Sequence, residues 1–460
     1  MIDITVRENI ELRGKMVAVI GARKSGTAAA RLLNKVGADV LLSDQNESPP
    51  ATKNLSELER LGVATEFGGH SEKIYASDMM VVSPGVPQNA GAIRRASEKE
   101  IPVVSEIELA SWFTDLPIVA VTGSNGKTTT TAMLAEMCAK DKFTPFLAGN
   151  IGIPFSETVA SILDAQPENG VHILEISSFQ MEHIRHFRPK VAVLLNLSAD
   201  HLDRYSSMAE YAAAKIRIIE NMTADDTVVF NSDDLQLSEM IHTPAQLIPF
   251  ALAGHSDSFF SVNETKVYDE ANEILIYKKD VSLPGVHNLA NFLAAATACR
   301  LLDVTVEAIQ DVMQTFSGVP HRLEHVRTFD GVDYYNDSKA TNIDSVKVSL
   351  DSFPGPVILI MGGRDKGANF RELHPFLAGK VKQIIVLGEA ADRIQESLSP
   401  IPPSIRAHSL DSAVSLAHDY SASGDTVLLA PGCASFDMFA NFEERGDCFK
   451  QGVNALESQR

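Results

Sequence analysis

The 460-residue chain is poor in cysteine and contains no long apolar run. Its four cysteines form no Cys-x-x-Cys pair and lack the spacing of a metal site, so we expect reduced thiols, as in a cytoplasmic protein. No apolar stretch approaches the roughly 18 residues that a membrane-spanning helix needs. The N-terminus also lacks an apolar segment of signal-peptide length. These absences predict a soluble, cytoplasmic protein without membrane insertion.

Positive charge is scarce as well. The 40 Lys and Arg residues are outnumbered by 60 Asp and Glu residues, which gives a formal net charge of -20. This excess of negative charge argues against nucleic acid or an anionic membrane as the main partner. An acidic protein that binds an anionic nucleotide must concentrate its basic residues locally, so the lysines and arginines in loops are the informative ones.

The most informative motif is VTGSNGKTTT at residues 121–130. It follows a short apolar stretch and opens a helical pattern, which predicts a strand, a glycine-rich turn and a helix. Gly123 and Gly126 let backbone N–H groups face phosphate oxygens in such a turn. Lys127 adds a positive charge, and the hydroxyl of Thr128 is placed to bind Mg²⁺. The motif therefore predicts a phosphate loop that binds ATP.

Three blocks of alternating strand and helix patterns run along the chain, as in parallel sheets covered by helices. The predicted fold class is α/β, with three domains that each contain a mostly parallel sheet. We place the domains at residues 1–112, 113–319 and 320–460, the last boundary falling in the proline-marked segment SGVPHR. Residues 250–283 alternate in a way that predicts an antiparallel edge or hairpin.

The segment GARKSG at residues 21–26 resembles the dinucleotide-binding fingerprint, and Asp44 lies about 20 residues further on, as that fingerprint requires. An NAD-dependent oxidoreductase is therefore an alternative. The middle glycine of the fingerprint is Arg23 here, and its side chain would crowd the pyrophosphate of a dinucleotide. A different phosphorylated ligand could still bind the backbone amides at the helix N-terminus.

Charged residues near other predicted strands are candidate site residues. Glu175 stands within the apolar strand pattern HILEIS, where a carboxylate needs either Mg²⁺ or an ion-pair partner. His201 follows another strand and lies between carboxylates, which favours a role as a ligand or as support for one. Lys215 lies on a predicted helix, and its spacing alone predicts a solvated lysine.

Polar clusters also mark the second half of the chain. Asn288 and Asn291 lie one turn apart at a predicted helix start, where asparagine is often only a cap. The segment NDSKATN at residues 336–342 directly follows a strand, and so dense a polar cluster predicts a site. Lys366 and Ser435 follow strands that end in glycine, the edge at which ligands bind in such sheets.

These motifs, taken in order, resemble those of the Mur ligases, the ATP-dependent amino-acid-adding enzymes of peptidoglycan synthesis. The runs that carry the resemblance span essentially the whole chain: TGSNGKTTT, EISSFQ, NLSADHLDRY, HNLAN, PHRLE, YNDSKATN and CASFDMFANFEERG. The last two favour the member that adds D-glutamate. The resemblance implies a Rossmann-like UDP-binding first domain, a P-loop ATPase-like central domain and a Rossmann-like third domain. We expect a monomer.

The reaction that the resemblance implies is the ATP-dependent addition of D-glutamate to UDP-N-acetylmuramoyl-L-alanine. ATP first converts the substrate carboxylate to an acyl phosphate, and the amine of D-glutamate then displaces phosphate. The cofactors implied are Mg²⁺ at two sites and a carbamate, since Lys215 matches the family lysine that reacts with CO₂. Carbamylation turns a cation into a carboxylate-like ligand.

The resemblance assigns the site residues position by position. The implied catalytic residues are Lys127, His201 and Lys215. ATP is expected at Gly123, Ser124, Asn125, Gly126, Lys127, Thr128, Thr129, Asn291, Arg322, Asp337 and Lys339. The metal ligands implied are Thr128, Glu175, His201 and Lys215 as its carbamate. The UDP substrate is expected at Lys24, Ser25, Asp44, Gly85, Asn150 and Ser177, and D-glutamate at Thr341, Lys366, Ser435 and Phe442.

One departure from the family pattern concerns the uracil ring. The family often has a Thr-Arg pair after the first-domain aspartate, with the arginine against the uracil. This chain has Gln45 and Asn46 there, so the resemblance does not specify how uracil is held.

Two further alternatives differ from this assignment. A folylpolyglutamate-synthase-like enzyme would need a pterin site in place of the UDP-binding first domain, and the full first domain opposes it. A non-catalytic nucleotide-binding regulator would lack metal or phosphate groups, yet Lys127, Thr128, Glu175, His201 and Lys215 are all present.

Overall fold

The computed structural model of the chain describes residues 2–47, 53–198, 205, 207–253, 257–283, 285–365, 367–399 and 402–457. Its contacts divide the chain into two compact units. The first comprises the residues up to Lys279 together with Ala290–Met313, and the second comprises Asp280–Leu289 and the residues from Gln314 onward.

The first sheet of the first unit has five parallel strands in the order β3-β2-β1-β4-β5. The strands are β1 (Met16–Ile20), β2 (Asp39–Asp44), β3 (Ala64–Phe67), β4 (Met79–Val82) and β5 (Val103–Ser105). The helices are α1 (Lys24–Lys35), α2 (Lys53–Arg60), α3 (Gly91–Glu98) and α4 (Glu106–Ser111). The strand order reverses beside β1, which creates a crevice beyond the carboxyl ends of β1 and β4.

The second sheet of this unit has six parallel strands in the order β11-β10-β9-β6-β8-β7. The strands are β6 (Ile118–Thr122), β7 (Thr144–Gly149), β8 (Gly170–Glu175), β9 (Val191–Leu194), β10 (Thr227–Asn231) and β11 (Gln246–Phe250). The helices are α5 (Lys127–Lys140), α6 (Phe155–Ile162), α7 (Met208–Ile216), α8 (Leu235–Met240), α9 (Val286–Arg300) and α10 (Val306–Thr315). The first four residues of α9 and the last two of α10 belong to the second unit. Every residue of β6 and β8 is buried, as expected for strands covered by helices on both faces.

The antiparallel element predicted within residues 250–283 is a separate three-stranded sheet. Its strands are β12 (Ser261–Val262), β13 (Lys266–Tyr268) and β14 (Ile274–Tyr277), in that order.

The second unit contains a six-stranded sheet in the order β15-β16-β20-β17-β18-β19. Its strands are β15 (Glu324–Phe329), β16 (Val332–Asn336), β17 (Val357–Gly362), β18 (Val381–Leu387), β19 (Ser404–Arg406) and β20 (Thr426–Leu429). The helices that follow α10 are α11 (Ile343–Asp351), α12 (His374–Leu377), α13 (Ala391–Leu398), α14 (Leu410–Tyr420) and α15 (Phe442–Asn454). Among the described strands of this sheet, only β15 pairs antiparallel, as an edge strand beside β16.

The predicted α/β class, with three mostly parallel sheets, is confirmed. One apolar cluster continues from the first sheet to the second through α1, α4 and α6, which explains why these two sheets belong to one unit. The domain boundaries at residues 112 and 319 stay a prediction. Among the described residues, no helix combines the length and the apolar character needed to cross a bilayer.

Candidate active site

The phosphate loop lies between β6 and α5, as the motif predicts. Gly126 caps α5 in a left-handed conformation with φ 84°, which a residue with a side chain adopts at a cost. A Cβ at Gly126 would lie 2.3 Å from Oδ1 of Asn291, so α9 brings this asparagine directly against the loop. The 14-residue helix α5 then presents its free N–H groups at the loop, with Thr129 buried in its first turn.

The side chain of Lys127 folds back over the loop. Its Nζ donates hydrogen bonds to the carbonyl oxygens of Gly123 and Ser124, both at 2.8 Å. The ammonium group is therefore held beside the same backbone whose N–H groups would face a phosphate, the position from which a lysine stabilises phosphate charge.

Residues that follow β9 also form hydrogen bonds with the phosphate loop. The Oγ of Ser124 donates to the carbonyl of Ser198 and accepts from its N–H, both at 2.9 Å. The N–H of Asn125 donates to Oδ1 of Asn196 at 2.9 Å, and Nδ2 of Asn196 donates to the carbonyl of Asn125 at 3.2 Å. Asn196 and Ser198 were absent from the predicted site. Both residues belong to the NLSADHLDRY run, which could have indicated their place in the site because it directly follows a strand.

The carboxylate of Glu175 connects three elements at the carboxyl edge of the sheet. It lies at the end of β8 and is 2 % exposed. Oε2 accepts a hydrogen bond from Oγ1 of Thr128 at 2.8 Å, and Oε1 accepts one from Nδ2 of Asn150 at 2.8 Å. The structure thus pairs a hydroxyl and a carboxylate oxygen next to the phosphate loop, which is the oxygen donor set that Mg²⁺ prefers.

Lys215 is buried, so the solvated lysine predicted from its spacing alone is wrong. It is 3 % exposed, and its Nζ donates to the carbonyl of Gly123 at 2.8 Å. The same nitrogen lies 4.6 Å from the ring centroid of Tyr211, one turn earlier on α7. The family resemblance assigned Lys215 to the metal site beside this loop, whereas the helix pattern alone gave no reason to place it there. His201, predicted to bind a second Mg²⁺, lies outside the described residues.

In the first sheet, Asp44 ties the ends of β1 and β2 together. Its Oδ2 accepts the N–H of Ala22 at 2.7 Å, and its Oδ1 accepts the N–H and Nδ2 of Asn46 at 2.9 and 2.8 Å. Burial raises the pKa of Asp44, but these hydrogen bonds and the nearby His70 outweigh it, and the pKa is lowered from its usual value. Asp44 is thus an ionised carboxylate that shapes the carboxyl edge of this sheet.

The other residues predicted for the UDP substrate fall in two places. Lys24 and Ser25 form the first turn of α1, and Gly85 follows β4 with open space around its Cα. Asn150 and Ser177 follow β7 and β8 of the second sheet, near Glu175 and at the cap of a short 3₁₀ helix, respectively. Four of the six residues therefore lie at the carboxyl edge of the first sheet, where its strand order reverses.

In the second unit, Arg322 and Asp337 come together. The flanking His321 and Leu323 have φ values of 65° and 42°, rare for residues with side chains, so the turn that carries Arg322 is strained. Burial raises the pKa of Asp337 to about 6, moderated by hydrogen bonds from Ser349 and Leu323 and by the charge of Arg322.

Lys339 and Phe442 are also neighbours. The Nζ of Lys339 lies 3.9 Å from the ring centroid of Phe442. Thr341 follows in the same loop, with its N–H bonded to the carbonyl of Lys339 at 2.8 Å, and Ser435 is buried after β20. Lys366, predicted to bind D-glutamate, lies outside the described residues.

Three family models match successive parts of the chain. They are the Mur ligase MurD-like N-terminal domain at residues 15–105, the Mur ligase middle domain at 121–299 and the Mur ligase glutamate ligase domain at 321–433. A UDP-N-acetylmuramoylalanine--D-glutamate ligase of Salinibacter ruber is 41% identical, over 97% of this chain and 99% of its own length. The protein of the same name from Trichlorobacter lovleyi is 42% identical, over 97% and 100%.

The chain belongs to the Mur ligase family.

Solved structures of Mur ligases share its fold. UDP-N-acetylmuramate-alanine ligase MurC of Thermotoga maritima superposes with a TM-score of 0.59 at 19% identity, covering 96% of this chain and 100% of that one. The MurF ligase of the same organism, solved in complex with ADP, gives a TM-score of 0.59 at 18% identity, covering 98% and 97%.

Arg445 is a residue of this Mur ligase that the sequence analysis did not assign. It is 3 % exposed, and burial lowers its pKa to about 10. Its guanidinium donates to Oγ and the carbonyl oxygen of Ser338 at 2.9 and 2.8 Å, and to the carbonyl of Cys433 at 3.1 Å. Arg445 therefore fixes the two loops that carry Lys339 and Ser435. The FEERG run marks this segment in the sequence, but residue spacing alone does not predict which groups an arginine side chain contacts.

Proposed function

We propose that this Mur ligase adds D-glutamate to UDP-N-acetylmuramoyl-L-alanine with hydrolysis of ATP to ADP and phosphate. The observation that carries the proposal is the phosphate loop, where the ammonium of Lys127, the hydroxyl of Thr128 and the carboxylate of Glu175 come together. The relatives named for this reaction, matched along nearly their full length, supply the pair of substrates.

The reaction divides into two displacements. A carboxylate oxygen of the L-alanyl group attacks the γ-phosphorus of ATP, and ADP leaves, so that the carboxylate becomes an acyl phosphate. The amine of D-glutamate then attacks the carbonyl carbon, loses a proton, and phosphate leaves from the tetrahedral intermediate. Negative charge accumulates on phosphate oxygens, which the N–H groups at the start of α5 and the ammonium of Lys127 are placed to stabilise.

The oxygen atoms of Thr128 and Glu175 fit a magnesium ion, because they already lie 2.8 Å apart at the edge of the loop. When bound there, Mg²⁺ supplies positive charge to the phosphate oxygens. A second ion, with His201 and a carbamate on Lys215 as ligands, is part of the proposal. Its support is the burial of Lys215 against Gly123, which would place carbamate oxygens beside the phosphate loop.

The substrates are assigned to the two other sheets. In the first domain, the N-terminus of the 12-residue helix α1, with Lys24 and Ser25, offers donors to the diphosphate of the UDP substrate. In the third domain, Thr341, Ser435 and Phe442, together with Lys366, are proposed to hold D-glutamate. A cytoplasmic location and a monomeric state complete the proposal.

Substitution of Lys127 by alanine tests the phosphate loop. We expect ATP-dependent phosphate release to fall by about 10²-fold or more, because the variant lacks charge that stabilises the transition state. The thermal unfolding midpoint should change little, since the Nζ of Lys127 donates to carbonyl oxygens of its own loop.

The matched control is Lys142→Ala, just beyond the other end of α5, where the lysine is exposed. It should retain full activity. If Lys127→Ala turns over like the control, the assignment of residues 123–128 as the phosphate loop is wrong.

A further inference from the structure

Three polar side chains form a cluster at the edge of the first sheet, and none of them has a role in the proposed reaction. Ser43 and Glu66 are directly paired in the register of β2 and β3. The Oγ of Ser43 donates to Oε1 of Glu66 at 2.7 Å, and the same Oγ lies 2.7 Å from Nδ1 of His70. Ser43 is fully buried, while His70 is half-buried at the end of the loop that follows β3.

The cluster fixes which nitrogen of His70 carries a proton. Glu66 also accepts hydrogen bonds from the N–H and Oγ of Ser71 at 3.1 and 2.6 Å. Burial raises the pKa of Glu66, but the hydrogen bonds from Ser71 and Ser43 outweigh this effect, and the pKa is lowered. An ionised carboxylate only accepts, so the single hydroxyl proton of Ser43 points to Glu66.

His70 must therefore donate from Nδ1 to the Oγ of Ser43. In the neutral imidazole, the opposite nitrogen Nε2 is then a hydrogen-bond acceptor. No described residue forms a hydrogen bond with Nε2.

His70 ends the loop that follows β3, beside the carboxyl end of β2, which carries Ser43. In sheets of this type the diphosphate binds at the N-terminus of the helix after β1, and the nucleoside extends over the carboxyl end of β2. The loop of Gly68 and Gly69 lies over that end, because its N–H groups donate to the carbonyls of Asn46 and Asp44 at 3.0 and 3.4 Å. Open space surrounds Gly69.

Most of the acceptor capacity of Asp44 is already used within the protein. Its two oxygens already accept three hydrogen bonds from Ala22 and Asn46. Another polar group at this edge can therefore contribute to recognition of the ring.

We propose that His70 determines nucleobase specificity by accepting, at Nε2, a hydrogen bond from the N3–H of uracil. This inference rests on the proposed function, which places a UDP-linked substrate in the first domain. Uracil presents a donor at N3, whereas cytosine presents an acceptor at the same position. An imidazole held with Nε2 as acceptor therefore forms a hydrogen bond with the first ring and not with the second. Glu66 and Ser43 are positioning residues that maintain this tautomer.

The test measures binding of UDP and of CDP to the full-length protein by isothermal titration calorimetry. The wild-type protein should bind UDP about tenfold more tightly than CDP, the effect expected of one directed hydrogen bond. His70→Ala should weaken UDP binding about tenfold and change CDP binding little, so that the preference disappears. An equal loss for both nucleotides would indicate a merely structural histidine and overturn the proposal, as would an unchanged preference.

A second variant tests the tautomer without removing the imidazole. In Glu66→Leu the hydroxyl of Ser43 loses its acceptor, which frees the serine proton for Nδ1 of His70 and leaves Nε2–H as a donor. The preference should then shift toward CDP; an unchanged preference for UDP would overturn the proposal. The control His408→Ala, at an exposed histidine of the third domain, should match the wild type.

These outcomes separate the inference from the proposed function. A wild-type protein that binds UDP and turns over its substrate, with His70→Ala equally selective, would refute the role of His70 alone. A wild-type protein that binds neither nucleotide would refute the UDP-binding first domain, and the role of His70 with it.

Discussion

At the scale of single residues, the burial of Lys215 poses a chemical question. An ammonium group that is 3 % exposed is costly unless it is paired, and Lys215 donates to the carbonyl of Gly123. If the working form is a carbamate, removal of CO₂ and bicarbonate should lower activity, and added bicarbonate should restore it. The measurement is phosphate release in degassed buffer, titrated with bicarbonate.

The control for this experiment is Lys215→Arg, which keeps a positive charge but cannot form a carbamate in the same way. It should be weakly active and indifferent to bicarbonate. Full wild-type activity in CO₂-free buffer would count against the modification.

Glu106 gives a prediction for the dependence of stability on pH. It is fully buried at the start of α4, where Oε1 accepts the N–H of Ser156 at 2.6 Å and Oε2 has no hydrogen-bond partner among the described residues. Burial raises its pKa from 4.5 to about 7, and the hydrogen bonds from Ser156 only moderate this. The folded state therefore holds the proton more tightly than the unfolded state.

The sign of the pH effect follows from this difference. The contribution of Glu106 to the free energy of unfolding is fully present below pH 4.5 and is lost as pH rises through about 7. Glu106→Gln cannot ionise, so the wild type should lose about 3 kcal/mol relative to the variant between pH 4.5 and 8. Urea unfolding at the two pH values measures this, and parallel pH profiles would show that Glu106 does not titrate in this range.

The sequence predicted some of these environments and not others. Glu175 was recognised as buried because its neighbours on the strand are apolar on both sides. Lys215 could not be recognised in this way, because alanines precede it and its burial arises from the packing of α7 near the loop after β6. Arg445 was missed for the same reason, since its partner Ser338 lies 107 residues away.

At the scale of elements, the contact of α9 with the phosphate loop can be tested at one glycine. Gly126→Ala should destabilise the protein for two reasons. The backbone is left-handed there, with φ 84°, and the new Cβ would lie 2.3 Å from Oδ1 of Asn291. We expect a higher KM for ATP and a loss of stability beyond the roughly 1 kcal/mol of the left-handed backbone. Steady-state kinetics and urea unfolding measure the two effects.

Gly62→Ala is the matched control. Gly62 has φ 87° and nothing within 4 Å of an added Cβ, so only the backbone cost applies. Equal losses of stability in the two variants, with an unchanged KM, would mean that Asn291 does not press against the loop.

The elements themselves were largely predictable. Each apolar run of β-branched residues became a buried strand, since both faces of a parallel sheet are covered. The dinucleotide-like turn was the ambiguous element, because a glycine-rich turn before a helix suits several phosphorylated ligands. Arg23 is the N-cap of α1 there, and the matching family model is that of a MurD-like N-terminal domain, so the NAD-dependent alternative is not supported.

At the scale of the whole molecule, strand–helix alternation predicted three sheets because each sheet is built from its own stretch of chain. It could not predict that α1, α4 and α6 share one apolar cluster between the first two sheets, since side chains distant in sequence form it. The same limit applies to Asn291, which reaches the phosphate loop from a helix more than 150 residues further along the chain.

The central claim is that the three sheets serve one ligase reaction specific for D-glutamate. The most direct measurement is ATP-dependent phosphate release with UDP-N-acetylmuramoyl-L-alanine and, in turn, D-glutamate, L-alanine, L-lysine and meso-diaminopimelate. We predict release with D-glutamate alone. Release with a different amino acid would retain the ligase chemistry but contradict the specificity assigned to the third domain, and no release with any of them would contradict the proposed function itself.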